Sequence, residues 1–524
     1  MTRKYPWFTI LCVSVFSASH AQHQVPLENS MTWQIEKNIV NEGHPIHTGY
    51  KPYNQAEIDT FFSTDSIFLH HLKSSSAESW LFRKLRKEHL AEVRARNLTL
   101  NLDILFDFRL GREHETGRNM YRNTRGGKIE GRLGEQITFF SEFYENQAGF
   151  PSYIDSFIRD TWIVPGQGVK RDFKETGFDF NWAQGGFLWS PKPYLQFELA
   201  HGKKFIGHGY RSLLLSDNAF NYPHVSVIFS TKKFKYVKSY ASLMHDIHNV
   251  NQGNYLFDRK SITWHYLNFN LFKGDLQLSL FEGNLWANPD STGQFDYNIQ
   301  YFNPLPVVNS LSKNNHSVIG FNLSAYLFNT FQLYGQWIVD DNIGEERHHD
   351  KTPFGFQAGC KYFDAFGLKG LFLLTEYNQV MPYTYASTNG LNSYSHYNQP
   401  LAHPLGANFR ETVFQMHYRR KSFLLKAKLN IIQYGEDSEA YFYGRNILHP
   451  VNTVNNKTFK FLQGITTSIN YFAVECAYVL NPLTNMNISL GYQSRNIEQM
   501  SGSNVSSTIF AAFRTSLSNF YYDF

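Results

Sequence analysis

Cysteine is nearly absent from this chain. Three occur in 524 residues, and Cys12 lies in a removable leader, which leaves Cys360 and Cys476. A secreted fold stapled by disulfides would carry more. Long apolar runs are missing as well. Beyond residue 21 none approaches the ~18 residues that a membrane helix needs. Charge of one sign is lacking: 49 Lys and Arg against 44 Asp and Glu leave +5. No nucleic-acid motif accompanies that small excess, so nucleic acid is not an expected partner. Walker A, HExxH and G-x-S-x-G signatures are all missing, so no catalytic residue and no cofactor is assigned. His348-His349-Asp350 has ligand chemistry, but its neighbours are loop-type and solvated histidines are the commoner case. No metal is assigned to it.

Aromatic residues are what the chain has in excess: 47 Phe, 32 Tyr and 9 Trp, 17% in all. The N-terminus reads as an export signal. Arg3 and Lys4 precede an apolar stretch from Trp7 to Phe16, and Ser19-His20-Ala21 sets small residues at −3 and −1 before Gln22. Domain boundaries follow: a signal peptide over 1–21, a partly helical periplasmic region over 22–97, and a β-barrel over 98–524. Within the middle region, Ser79 to Arg96 reads as a helix with Leu81 and Leu85 on one face and a solvated basic face elsewhere.

From residue 98 onward the chain alternates. Ile319, Phe321, Leu323, Ala325 and Leu327 share one face, opposite Asn322, Ser324 and Tyr326. Phe423, Leu425, Ala427, Leu429 and Ile431 face away from Lys426, Lys428 and Asn430. Period two with one apolar face is a strand signal. Segments of ~10–13 residues exceed the globular norm and match tilted membrane strands. The pattern predicts about 18 strands, the first at 98–110 and the last at 506–520. Connections alternate in length. Short ones such as Ser190-Pro191-Lys192-Pro193, Lys273-Gly274-Asp275 and Asn329-Thr330 follow even-numbered strands. Long ones include 111–121, 147–174, 205–224, 381–408, 436–458 and 497–505. This is the asymmetry of an all-β transmembrane barrel embedded in outer-membrane lipid, with tight periplasmic turns and long outer loops. The closing Asn519-Phe520-Tyr521-Tyr522-Asp523-Phe524 resembles the final strand by which outer-membrane assembly machinery recognises its clients. Cys360 and Cys476 fall on lipid-facing registers four strands apart, too far for a disulfide.

Two loops carry unusual chemistry. In Gly202 to Asn218, Leu213-Leu214-Leu215 would be costly if exposed, so the loop is expected to fold into the barrel mouth. There Arg211 and Asp217 would pair, with Asn218 beside them. The second holds Tyr383, Tyr385, His396, Tyr397, Asn398, Gln399, His403 and Asn408. Rings beside amides and imidazoles suit a sugar, whose apolar faces stack and whose hydroxyls hydrogen-bond. The same residues would equally build a constriction that packs the lumen.

These segments, GHGYRSLLLSDNA at 207–219 and HYNQPLAHPLGANF at 396–409, resemble the Wzi-type capsule-assembly family. They are most similar to its Bacteroidetes branch, which includes the gliding-motility protein RemB. The resemblance covers roughly 100–524. It implies an 18-stranded outer-membrane barrel that attaches surface polysaccharide without catalysis and, in the gliding branch, works with motility components. The chain departs at Met381, where many relatives carry Arg. A diffusion channel is the alternative, and an outer-membrane hydrolase a lesser one.

Overall fold

A computed structural model describes residues 24–69, 79–245, 259–287, 302–306, 315–341, 352–388, 390–451, 459–515 and 517–524. The leader expected over 1–21 and His348-His349-Asp350 lie outside the described residues.

Eighteen antiparallel strands close into one barrel. The first nine are β1 (Leu98–Glu113), β2 (Asn119–Leu133), β3 (Ile137–Gly149), β4 (Gly177–Lys192), β5 (Leu195–Gly202), β6 (Tyr222–Ser230), β7 (Phe234–Met244), β8 (Arg259–Leu271) and β9 (Leu276–Ala287). The rest are β10 (His316–Leu327), β11 (Phe331–Asp341), β12 (Phe354–Phe363), β13 (Leu371–Val380), β14 (Phe409–Arg420), β15 (Phe423–Glu436), β16 (Ile465–Asn481), β17 (Met486–Gln499) and β18 (Gly502–Arg514). The ring closes where β18 pairs β1, with Phe513 opposite Phe108.

The alternation places the apolar face outward. Leu110, Leu199, Leu490 and Ile509 are 61–71% exposed, whereas inward Gln277, Asn284, Asn322 and Ser324 are fully buried. A water-soluble barrel would reverse this polarity; a membrane barrel requires it. Cys360 and Cys476 point outward as free thiols.

Connections after even-numbered strands hold at most seven residues, and most of the others are far longer. Two expected long loops are in fact tight: 114–118 and 500–501. There the strands run on beyond the apolar band as polar residues, so hydrophobic alternation no longer marks them.

Two further expectations are corrected. The helix expected over Ser79–Arg96 stops at Arg86: the helical Trp80–Arg86 is followed by a strand at Ala91–Ala95. That strand pairs with Leu98–Leu102 of β1. Its entry is pinned by Asp103, which accepts from Leu90 N at 3.1 Å and bonds His89 Nδ1 at 2.6 Å. The cause lies at the other end of the chain. The last strand, expected to reach residue 520, ends at Arg514. Thr515 N donates to Phe106 O at 2.7 Å and the tail turns into the lumen. The lower edge of β1 is left open, and an open edge cannot face lipid. Ala91–Ala95 covers it.

The lumen is filled from both ends. From the short-turn end comes α1 (Asn29–Glu42), capped by Glu28, whose side chain accepts from Met31 N, and closed by Gly43 in the left-handed region. Trp33, Ile35 and Ile39 are buried. Glu36 reaches Lys361 on the β12 wall and Lys51 at 3.0 Å. Burial alone would raise its carboxyl, but the two ammonium groups outweigh it and hold Glu36 at about 2.

Candidate functional site

The 203–221 loop between β5 and β6 enters from the long-loop end. Leu213, Leu214 and Leu215 are buried, as their apolarity requires. A two-residue sheet, Tyr50–Lys51 with Phe205–Ile206, joins this loop to the N-terminal plug. The glycines explain the close approach. A Cβ on Gly209 would stand 2.1 Å from Glu376 Oε2. That carboxylate accepts from Tyr210 N at 2.8 Å, Arg211 N at 3.1 Å and Tyr334 OH at 2.8 Å.

Arg211 does not pair with Asp217. Its guanidinium reaches Glu411 of β14 at 2.9 Å and Asp523 of the tail at 3.1 Å, and all three groups are essentially fully buried. Burial disfavours the Arg211 charge, but Asp523 and Glu411 overcome this and raise its pKa further. Asp523 also accepts from Lys428 at 2.7 Å, Tyr210 OH at 2.8 Å and Asn430 at 2.9 Å. Asp217 instead accepts from Tyr521 OH at 2.7 Å and Asn519 at 3.0 Å, while Asn218 donates to Pro400 O at 3.0 Å. The incoming tail supplies what Arg211 and Asp217 were expected to supply to each other.

The 381–408 loop packs on this layer. Tyr385 OH donates to Leu213 O at 2.7 Å, and Tyr385 N bonds Asp340. Tyr383 OH donates to Phe442 O at 3.2 Å. Gln399 Oε1 accepts from Gly166 N at 2.7 Å. Asn408 donates to Gly435 O at 2.9 Å and Gln463 O at 2.8 Å. Burial holds His396 at about 3, so the ring is neutral. Its Nδ1 accepts from Met244 N at 3.0 Å and its Nε2 donates to Asn221 O at 3.2 Å. His403, also lowered by burial, donates from Nε2 to Glu411 at 2.6 Å.

So the structure does bring the two loops together, with nearly all their singled-out side chains buried and bonded to the protein itself. Tyr397 is the least buried of them. It is half-exposed, at the tip of a hairpin formed by Ser395–His396 and Gln399–Pro400. Tyr397 and Asn398 have φ of 49° and 53°. Two left-handed residues in a two-residue loop make a type I′ turn, whose first position favours Asn or Gly. A tyrosine there costs about 1–2 kcal/mol. The Tyr397 ring meets half-exposed Phe220 edge-on at 5.1 Å, and Phe220 meets half-exposed His201 at 6.2 Å. Three rings thus line the long-loop rim.

Glu376, Glu411 and Asp523 were missed in the sequence. The first two could have been found as carboxylates on lumen-facing registers, but nothing local marks Asp523. Below the sealed layer a cavity of about 280 Å³ remains between α1, the tail and the wall around β14–β18 and β1.

No family model matches the chain, and no curated protein matches it by sequence. Its structure is similar to Wzi of Escherichia coli, described as an outer membrane protein involved in group 1 capsule assembly and a carbohydrate-binding β-barrel. The two are 12% identical, the match covers 94% of this chain and 99% of that one, and the TM-score is 0.53. OccK3 of Pseudomonas aeruginosa (7% identity, 79% and 95% covered, TM-score 0.43) and OpdK of the same organism, solved with vanillate (9%, 79% and 98%, 0.44), are more distant. The first likeness establishes the fold of an outer-membrane barrel.

Proposed function

We propose that this chain is a non-enzymatic outer-membrane barrel that holds surface polysaccharide at its long-loop face, which lies outside the cell. The observation that carries the reading is Tyr397. A strained backbone presents this ring at the rim beside Phe220 and His201, while its neighbours are buried. Strain of this kind persists where the surroundings enforce it, and it clusters at ligand clamps. Flat rings offered to solvent suit the apolar face of a pyranose. Wzi, which shares the fold, is described as carbohydrate-binding, which agrees. A gliding role, implied by the sequence resemblance to the RemB branch, would act through the same polysaccharide.

A diffusion channel fits less well, because α1, two loops and the C-terminal tail occupy the lumen where a channel needs water. The test is polysaccharide retention by cells expressing Tyr397→Ala and Phe220→Ala. Cell-associated polymer should fall several-fold at unchanged barrel abundance. Full retention in both variants would remove the rim from the mechanism.

A further inference from the structure

One helix carries its polarity inside out. In the Trp80–Arg86 helix, Trp80, Leu81, Phe82 and Leu85 are 42–59% exposed. The basic residues among them are less so: the Arg83 and Lys84 side chains are 36% and 14% exposed, and Arg86 and Lys87 are half-buried. At ~100° per residue, Leu81, Leu85 and Phe82 share an arc of about 100°. A surface helix in water turns such an arc toward the core. This one turns it outward, because its polar side is the side held to the barrel. Asn481 Nδ2 at the end of β16 donates to Lys84 O at 3.1 Å and to Glu88 O at 3.0 Å. Glu88 in turn pairs with Arg83 at 2.9 Å and Lys84 at 3.0 Å.

The place of the helix says what covers that arc. Asn481 closes β16 at the short-turn end. Three residues earlier, Tyr478 points outward and meets Phe423 of β15 edge-on at 5.1 Å, both rings exposed. Ile488 of β17, opposite Tyr478, is exposed as well. Exposed aromatic residues at the end of the apolar band are the girdle that marks the membrane surface. At ~3.3 Å per residue, the helix is held within about 10 Å of that girdle. Charge agrees with this depth. From Trp80 to Glu88 four basic residues, Arg83, Lys84, Arg86 and Lys87, stand against one acid, Glu88. Apolar side chains led by a tryptophan, with cations beside them, suit the boundary between acyl chains and phosphate headgroups.

We infer that the Trp80–Arg86 helix is an interfacial anchor that binds anionic phospholipid in the leaflet at the short-turn end. Trp80, Leu81, Phe82 and Leu85 lie among the acyl chains, and the excess cations meet lipid phosphates. The anchor serves the segment that follows it, since Ala91–Ala95 covers the open edge of β1 against lipid. A helix bound to the leaflet keeps that cover seated.

The test uses the full chain in nanodiscs holding one copy each, made of phosphatidylcholine alone or with phosphatidylglycerol. A spin label is set at Leu81→Cys in a Cys360→Ala, Cys476→Ala background. Oxygen should reach it and a nickel chelate should not, as for a label at Leu490→Cys on the lipid face. Each cation near an anionic surface strengthens binding about fivefold, so hydrogen-exchange protection over 79–88 should rise at least fivefold with phosphatidylglycerol. Arg86→Gln with Lys87→Gln should remove most of that rise, and so should high salt. Heat-modifiable migration shows which variants are folded, and the lipid comparison on the wild type decides if a variant is not. Nickel access at Leu81 would mean that water or a protein partner covers the arc instead of lipid. That result, or equal protection in the two lipids, overturns the inference.

Discussion

Asp523, next to last in the chain, should act as the latch that holds the tail in the lumen. Its carboxylate accepts from Arg211, Lys428, Tyr210 and Asn430. Substitution by Ala would leave Arg211 buried with Glu411 alone. Removing one partner of a buried ion pair costs about 3–5 kcal/mol, because the remaining charge stays desolvated. At 1.4 kcal/mol per tenfold, that is roughly two to three and a half orders of magnitude in the opening equilibrium of the tail. Hydrogen exchange read by mass spectrometry over 517–524 measures that equilibrium directly. Protection should fall by about that factor in Asp523→Ala, with β-strand protection unchanged. Acid should do the same. Burial raises the Asp523 carboxyl, but Arg211 and Lys428 overcome this and hold it well below the usual carboxylate range. A group depressed on folding stabilises above its unfolded value, ~3.9 for Asp. Tail protection should therefore be flat from neutral pH down to about 5 and be lost progressively below about 4. Equal tail protection in the wild type and Asp523→Ala would refute the latch and, with it, the account of why Arg211 and Asp217 do not pair.

The remaining predictions concern the wall and the seal. Leu425→Arg sets a charge on the lipid face towards the short-turn end, where the cost falls below the ~2–4 kcal/mol of mid-bilayer, and should lower assembled barrel in outer-membrane fractions. Lys426→Gln, one residue on and facing the lumen, should assemble normally; equal effects at the two positions would mean the register is wrong. In planar bilayers the wild type should be closed, and replacing 381–408 by a short Gly-Ser link should open it, since Tyr385 and Tyr394 hold the 213–214 backbone in the mouth. A large steady wild-type conductance would instead favour the channel reading.

What was legible in the sequence was whatever the membrane enforces locally. Lipid on one side and a polar lumen on the other impose period two, so the faces of Phe321 and Leu323 against Asn322 and Ser324 could be read directly. Leu213-Leu214-Leu215 could be placed because three leucines do not sit in water. The partners of Arg211 could not: Glu411 and Asp523 lie 200 and 312 positions away, and alternation does not say which lumenal carboxylate faces which loop. The tail misled for a related reason. Leu517 and Tyr521 continue an apolar spacing, but it is satisfied by the plug instead of by lipid. In a membrane barrel hydropathy no longer ranks burial, because the most buried wall positions are polar. Tyr385, His403 and Asn408, which attract attention by their chemistry, are therefore the residues the interior consumes. Tyr397 differs from them in its exposure, which its chemistry does not reveal.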